Sequence, residues 1–103
     1  MSSILQGTTP GLEVPISSED FLVTDVTSLE LKFSQGGEVS VHNLAELAVD
    51  AEGNSFTYHF SEAETLALDP SRPLVWQMRF WLEDGNIVGT EKMLLDVADL
   101  MGE

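Results

Sequence analysis

A run in which every second side chain is large and apolar, from Leu74 to Leu82, is the feature that most constrains how this chain folds. One face of the run is apolar throughout and consists of Leu74, Trp76, Met78, Phe80 and Leu82. The other face carries Val75, Gln77, Arg79, Trp81 and Glu83. Because successive side chains of a strand point to opposite sides of a sheet, this period of two predicts a long strand that is buried on one face.

Two turn signals predict hairpins. Glu83–Asn86 follows the long run and predicts a turn into a return strand over residues 87–97. Earlier in the chain, an alternating strand over residues 25–34 runs into Gly36-Gly37, which is typical of a two-residue hairpin. Its partner strand is expected over residues 39–43, with Val39 and Val41 facing the core.

Shorter segments complete the pattern. Residues 12–16 alternate and contain Pro15, which indicates an edge strand or a strand end. A short strand is expected near residues 47–49, and a further one carries Phe56, Tyr58 and Phe60. Ser61–Glu64 is a capping box that predicts one helical turn over residues 62–66, with Leu66 and Leu68 tucked under the sheets.

Evenly spaced strands joined by short Gly, Asn and Asp turns predict an all-β protein. We expect an immunoglobulin-like antiparallel β-sandwich of about seven strands, with one short helical turn near residues 62–66. Residues 1–10 are expected to form a flexible N-terminal arm, and residues 11–100 a single β-sandwich domain. Since the chain has no cysteine, apolar packing has to join the sheets, and the core candidates are Phe33, Phe56, Tyr58, Phe60, Trp76 and Phe80.

The charge of the chain restricts its partners. Four basic residues stand against 18 acidic ones, for a net charge of −14 in 103 residues. A field of this sign repels nucleic acid and anionic membranes, so neither is expected as a partner. The acidity serves solubility, or it imitates a polyanion that docks on a basic protein. The N-terminus lacks the pattern of a signal peptide, so we do not expect secretion by that route.

No catalytic signature emerges from the sequence. There is no GxSxG motif, no glycine-rich phosphate loop and no cysteine nucleophile. His42 and His59 are expected to be solvent-facing strand residues, and Asp50–Asn54 fits a tight acidic turn better than a calcium loop. We therefore predict a protein that is not an enzyme, with no catalytic residue, no metal site and no cofactor.

The polar face of the long strand is the candidate interaction surface. Gln77, Arg79 and Trp81 follow one another at a spacing of two on that face. Trp81 either packs against a neighbouring strand or is an exposed aromatic at an interface, where Trp and Arg are enriched. Exposed edge strands would add a second mode of contact, by strand addition.

Several motifs resemble a group of small prophage proteins of Gram-positive bacteria, about 100 residues long. The matching stretches are Gly7–Pro10, Phe33–Glu38, Ser61–Leu68, the VxQMR run from Val75 to Arg79, and the turn Asp84–Asn86. The likeness extends from Gly7 to about Leu100, and the chain departs from the group in its two tryptophans and its acidity. The resemblance implies a β-sandwich protein with a structural or adaptor role in a phage tail or baseplate.

Under that interpretation the partners are other virion proteins, with homo-oligomerisation as a further possibility. The protein would reside in the virion, or in the host cytoplasm before assembly. Two alternatives remain open: an acidic inhibitor or DNA mimic that binds a basic protein, and a carbohydrate-binding surface module with Trp81 or Tyr58 as its stacking platform.

Overall fold

The computed structural model describes residues 3–98, and their backbone is mostly strand. Nine strands lie in this range: β1 Ser3–Leu5, β2 Gly11–Pro15, β3 Val26–Gln35, β4 Glu38–Asn43, β5 Ala48–Asp50, β6 Ser55–His59, β7 Leu74–Leu82, β8 Ile87–Gly89 and β9 Met93–Ala98. One helix, α1, spans Glu62–Leu66, and two 3-10 turns span Val23–Asp25 and Leu44–Glu46.

The strands form two sheets. The larger has the order β1-β9-β7-β3-β4, with β8 also paired to β7, and the smaller has the order β2-β6-β5. In the lettering of immunoglobulin-type sandwiches, β2, β6 and β5 correspond to strands B, E and D, and β3, β7 and β9 to strands C, F and G. The all-β sandwich expected from the sequence is thereby confirmed.

Buried apolar side chains from both sheets fill the space between them. The predicted aromatic core is confirmed, since Phe33, Phe56, Tyr58, Phe60, Trp76 and Phe80 are all buried. Phe80 lies 5.6 Å from Phe56 and 5.0 Å from Phe21, measured between ring centroids, so it joins the larger sheet to the smaller one. Full burial of one such side chain contributes roughly 1.5–3 kcal/mol to the stability of the fold.

Both predicted hairpin turns are present. Gly36 and Gly37 adopt φ values of 58° and 90°, the left-handed region that glycine enters without a steric penalty. Gly85 has a φ of 90° in the second turn, where its N–H donates to the carbonyl oxygen of Leu82. The predicted short strand near residues 47–49 is also observed, as β5, preceded by the 3-10 turn Leu44–Glu46.

The predicted helical turn is found over Glu62–Leu66, and its capping box is complete. The side chain that it buries differs from the expectation, because Leu66 is 55% exposed and Thr65 is fully buried. Thr65 Oγ1 accepts a hydrogen bond from the backbone N–H of Gly7 and donates to the carbonyl oxygen of Thr8. The helix therefore secures the N-terminal segment rather than sealing the core with Leu66, whereas Leu68 does pack against the core.

The segment from residue 3 to residue 10 differs from the flexible arm expected over residues 1–10, of which residues 1 and 2 lie outside the described range. Ser3–Leu5 form β1, which pairs in parallel with β9, and Ile4 is buried opposite Val97. Three residues are too few to show a strand's alternating pattern, so the sequence did not predict β1. Residues 99 and 100, at the end of the predicted domain over residues 11–100, lie outside the described range.

The expected orientations of Val39 and Val41, and that of His42, need correction. Val39 and Val41 face outward, because the pairing of Lys32 with Val41 and of Phe33 with Ser40 places Ser40 on the inner side. His42 also faces inward, with only 12% of its side chain exposed, although His59 is exposed as expected.

The predicted return strand over residues 87–97 is divided into β8 and β9, which raises the strand count above the expected seven. At the division, Thr90 Oγ1 accepts from the backbone N–H of Met78, and the N–H of Thr90 donates to the carbonyl oxygen of Met78. The Thr90 side chain thus replaces one ladder hydrogen bond.

Candidate functional site: the outer face of the larger sheet

The three predicted interaction residues lie together on the outer face of the larger sheet. Gln77 and Arg79 are exposed and Trp81 is half-buried, while Trp76, Met78 and Phe80 between them are buried. The period-two pattern therefore placed these side chains on the correct side of the sheet. Their role as a binding surface stays a prediction.

Arg79 is the central side chain of this face. Its guanidinium carbon lies 4.8 Å from the centroid of the Trp81 ring, and its Nη2 lies 3.5 Å from Glu30 Oε1 on the neighbouring strand. An exposed cation–π contact stabilises the fold by about 0.5–1 kcal/mol, and an exposed ion pair stabilises it by a similarly small amount. Together they orient the guanidinium over one face of the indole and leave its outer side open to solvent.

Gln77 is fixed on the adjacent side. Its Nε2 donates to the carbonyl oxygen of Thr90 at 3.2 Å, which ties the side chain to the link between β8 and β9. Lys32 is the cross-strand neighbour of Gln77 on β3. Gly89 pairs with Arg79 on β8, and because glycine has no side chain the surface is indented there.

The indentation is a depression of about 270 Å³ lined by Glu30, Lys32, Gln77, Met78, Arg79 and Gly89. Two of the four basic residues of the chain stand in it. With Lys32 and Arg79 against the single carboxylate of Glu30, the centre of this face carries a net positive charge on a molecule of net charge −14.

Exposed apolar side chains surround this centre, and the pattern along β7 alone did not reveal them. Val39 and Val41 on β4, Ile87 on β8 and Leu94 on β9 are each more than half exposed. The register places them outward, opposite Ser34, Lys32, Trp81 and Val75. We call the surface formed by Lys32, Val39, Val41, Gln77, Arg79, Trp81, Ile87 and Leu94 the Arg79 face.

A signal for Val39 and Val41 was present in the sequence. A two-residue turn at Gly36-Gly37 makes Gln35 the partner of Glu38, and counting back from there pairs Phe33 with Ser40. Since Phe33 is an inward residue, Ser40 has to face inward and the two valines outward.

A polar cluster lies at the other side of β4, against the core. Tyr58 Oη donates to Glu64 Oε2 at 2.5 Å, and the His42 ring packs 4.6 Å from the Tyr58 ring. Burial, followed by the hydrogen bond to the Glu64 carboxylate and its charge, raises the pKa of Tyr58 well above its usual value. Burial also pushes the pKa of Glu64 upward, but hydrogen bonds from Tyr58 and Ser61 outweigh it and leave that pKa below the ordinary range.

His42 also joins Ser40 to Glu46. Its Nε2 lies 3.3 Å from Ser40 Oγ and its Nδ1 lies 3.1 Å from Glu46 Oε1, an order of groups that a serine hydrolase would use. A hydrolase also needs backbone N–H donors aimed at the oxyanion, and the N–H of Ser40 faces β3 in the ladder.

Glu46 has a structural task in this chain of hydrogen bonds. Its Oε2 accepts from the backbone N–H of Asn43, and this bond, followed by the one to His42, lowers the pKa of Glu46. The arrangement fastens the end of β4 to the 3-10 turn Leu44–Glu46. Among residues 3–98, no group of three or more His, Cys, Asp or Glu side chains is arranged to hold a metal ion.

Comparisons with known proteins add no assignment. Neither protein-family models nor curated protein sequences match this chain. Within the described range, none of the helices has the length and apolar character needed to cross a bilayer.

Proposed function

We propose that this protein is a non-enzymatic structural or adaptor protein that binds other proteins through the Arg79 face. The observation that carries the proposal is the arrangement of exposed apolar side chains around a half-buried tryptophan and an arginine stacked on it. Interfaces are enriched in Trp and Arg near their centres, and such residues often supply most of the binding energy. The apolar side chains at the rim would exclude water from this centre once a partner has docked.

The biological setting in this proposal comes from the resemblance to small prophage proteins. Its motifs support a role in a phage tail or baseplate assembly, with virion proteins as partners. The protein would then be found in the virion, or in the host cytoplasm before assembly. The cationic centre of the Arg79 face supports a partner that presents carboxylate or carbonyl oxygens at the same point.

The alternatives have less support. A carbohydrate-binding site needs an accessible aromatic platform, and Tyr58 is 6% exposed while Arg79 covers one side of Trp81. A DNA mimic binds through a continuous acidic surface, whereas the Arg79 face has Lys32 and Arg79 at its centre.

Site-specific photo-crosslinking in the cells that encode the protein would test the proposal. A photoreactive amino acid at position 77 is expected to capture a discrete protein, because Gln77 lies on the Arg79 face and is exposed. The matched control is position 13, since Glu13 is exposed on the outer side of the smaller sheet. Equal capture from both positions, or none from position 77 under conditions of phage assembly, would contradict the proposal.

A further inference from the structure

The open edge of β4 is a second surface with the properties of a binding site. Across residues 3–98, β4 pairs with β3 on one side and ends the larger sheet on the other. An edge strand offers unpaired backbone donors and acceptors to any extended segment that approaches it. No proline interrupts β4, and no lysine or arginine lies on it.

The hairpin turn determines which backbone groups are open. The two-residue turn makes Gln35 and Glu38 a hydrogen-bonded pair, and such pairs alternate along an antiparallel ladder. Glu38, Ser40 and His42 therefore bond to β3, and the N–H and C=O groups of Val39 and Val41 point away from the sheet. Asn43 fits this alternation, because its N–H donates to Glu46 and not to β3.

A cleft lies beneath this edge, between the inner side of β4 and helix α1. Two adjoining hollows of about 450 and 160 Å³ share Phe33, Glu38, Ser40, Leu68 and Leu74 in their walls. Phe60 adds a further apolar wall to the larger one. Ser40 points inward yet is exposed, because its small side chain leaves the mouth of the cleft open.

The negative charge at the cleft indicates which kind of segment can bind to this edge. Glu38 and Glu64 stand at the cleft, and the carboxylate of Glu64 is held in its charged form by Tyr58 and Ser61. A second copy of the chain would bring another net charge of −14 to the same edge, and the two would repel each other. Arg72 stands beside Gly36 at the hairpin end, where it pairs with Asp69, so the acidic character of the cleft itself is retained.

We propose that the edge of β4 binds an extended segment of a partner protein in which apolar and basic side chains alternate. The segment adds as a strand to Val39 and Val41, and its apolar side chains lie on the outer face beside the two exposed valine side chains. Its basic side chains point inward into the cleft, where their aliphatic stems pack beside Phe33, Phe60 and Leu74 and their charges meet Glu38 and Glu64. The proposed strand addition rests on the proposed function in one respect, namely that the protein acts by binding other proteins.

Peptide binding to the full chain would test this inference. The probe is a short synthetic peptide of alternating leucine and lysine, and its affinity is measured by fluorescence anisotropy. Two control peptides separate the contributions: one has glutamate in place of lysine, and one keeps the sequence but is N-methylated at alternate residues so that it cannot form a ladder. We expect the leucine–lysine peptide to bind at least about tenfold more tightly than either control.

Variants of the protein locate the site. Val41→Pro removes an N–H that points to the open edge, so it is expected to weaken binding about tenfold, whereas Val41→Thr keeps that N–H and binds within about twofold of the wild type. Glu38→Gln is expected to weaken binding more than Glu52→Gln, which makes the same charge change in the exposed turn after β5.

Two results would overturn the inference. One is equal affinity for the N-methylated and unmodified peptides, since that would show attraction by charge alone. The other is a homodimer that Val41→Pro dissociates, since the edge would then belong to a second copy. Trp81→Ala is expected to leave peptide binding unchanged, so a failure here is distinguishable from a failure of the proposed function at the Arg79 face.

Discussion

A single asparagine organises the connection between β2 and β3. Asn54 Oδ1 accepts from the backbone N–H of Val23, and its Nδ2 donates to the carbonyl oxygens of Ile16 and Phe21. Its own backbone has a φ of 52°, in the left-handed region. The sequence predicted a tight turn at Asp50–Asn54, but it could not reveal that the turn also fastens a loop more than 30 residues away.

Two substitutions at position 54 separate the contributions of side chain and backbone. Asn54→Gly keeps the left-handed backbone and loses the three hydrogen bonds, so we expect a loss of about 2–3 kcal/mol in the free energy of unfolding. Asn54→Ala is expected to cost about 1 kcal/mol more, because a Cβ is unfavourable at positive φ. Urea denaturation measures the free energy of unfolding of both variants. An alanine variant as stable as the glycine variant would contradict the left-handed backbone assigned to position 54.

The hydrogen bond between Tyr58 and Glu64 makes the stability of the fold depend on pH in both the alkaline and the acidic range. The raised pKa of Tyr58 contributes stability below its unfolded value of about 10, and this is lost as the pH rises further. The lowered pKa of Glu64 contributes stability above its unfolded value of about 4.3, and this is lost as the pH falls.

Tyr58→Phe tests this coupling. At neutral pH we expect a loss of about 1.5–3 kcal/mol, the usual range for a hydrogen bond to a charged group. We also expect the variant to lose less stability than the wild type between pH 9 and 11, since it has no phenol to ionise. Urea midpoints measured across this range give the result, and parallel curves for the two proteins would contradict it.

At the scale of the element, sequence patterns were reliable where one strand carried its own signal. The long alternation of β7 and the capping box of α1 predicted the burial of Trp76 and the position of the helix. The orientation of β4 was wrong, because Val39 and Val41 look like core residues when read alone. Their direction depends on the register across the hairpin, and β1 is likewise defined only by its pairing with β9.

The hydrogen-bonded series Ser40, His42 and Glu46 provides a test of the prediction that the protein is not an enzyme. Since the Ser40 N–H faces β3, we expect no acyl transfer there and no covalent labelling by a fluorophosphonate probe. Mass spectrometry after incubation with the probe measures this directly. Labelling of Ser40 that disappears in His42→Gln would establish an activated serine and contradict the expectation.

At the scale of the whole molecule, charge opposes compaction. A net charge of −14 on a chain of 103 residues produces self-repulsion that salt screens over about 10 Å at 0.1 M ionic strength. We therefore expect the thermal midpoint to rise as sodium chloride is added from low concentration to about 0.15 M. A midpoint that is independent of salt would show that the acidic side chains are too dispersed to matter.

The overall architecture could be predicted because strand spacing and turn residues together specify a sandwich. The composition of the Arg79 face could be predicted only in part. Gln77, Arg79 and Trp81 belong to one strand and share its period, whereas Val39, Val41, Ile87 and Leu94 join them through pairing between distant segments. A binding surface on a sheet is assembled across strands, so the pattern along any one strand describes only one row of it.

The affinity of the protein captured from position 77 for the wild type and for Trp81→Ala tests the central claim most directly. We expect the substitution to weaken binding by about 30-fold, the effect of an interface hot spot of about 2 kcal/mol, with the thermal midpoint nearly unchanged. Glu13→Ala, on the outer side of the smaller sheet, is the control and should bind as the wild type does. Unchanged affinity in Trp81→Ala would contradict the assignment of the Arg79 face, and unfolding of the variant would show that Trp81 is a packing residue.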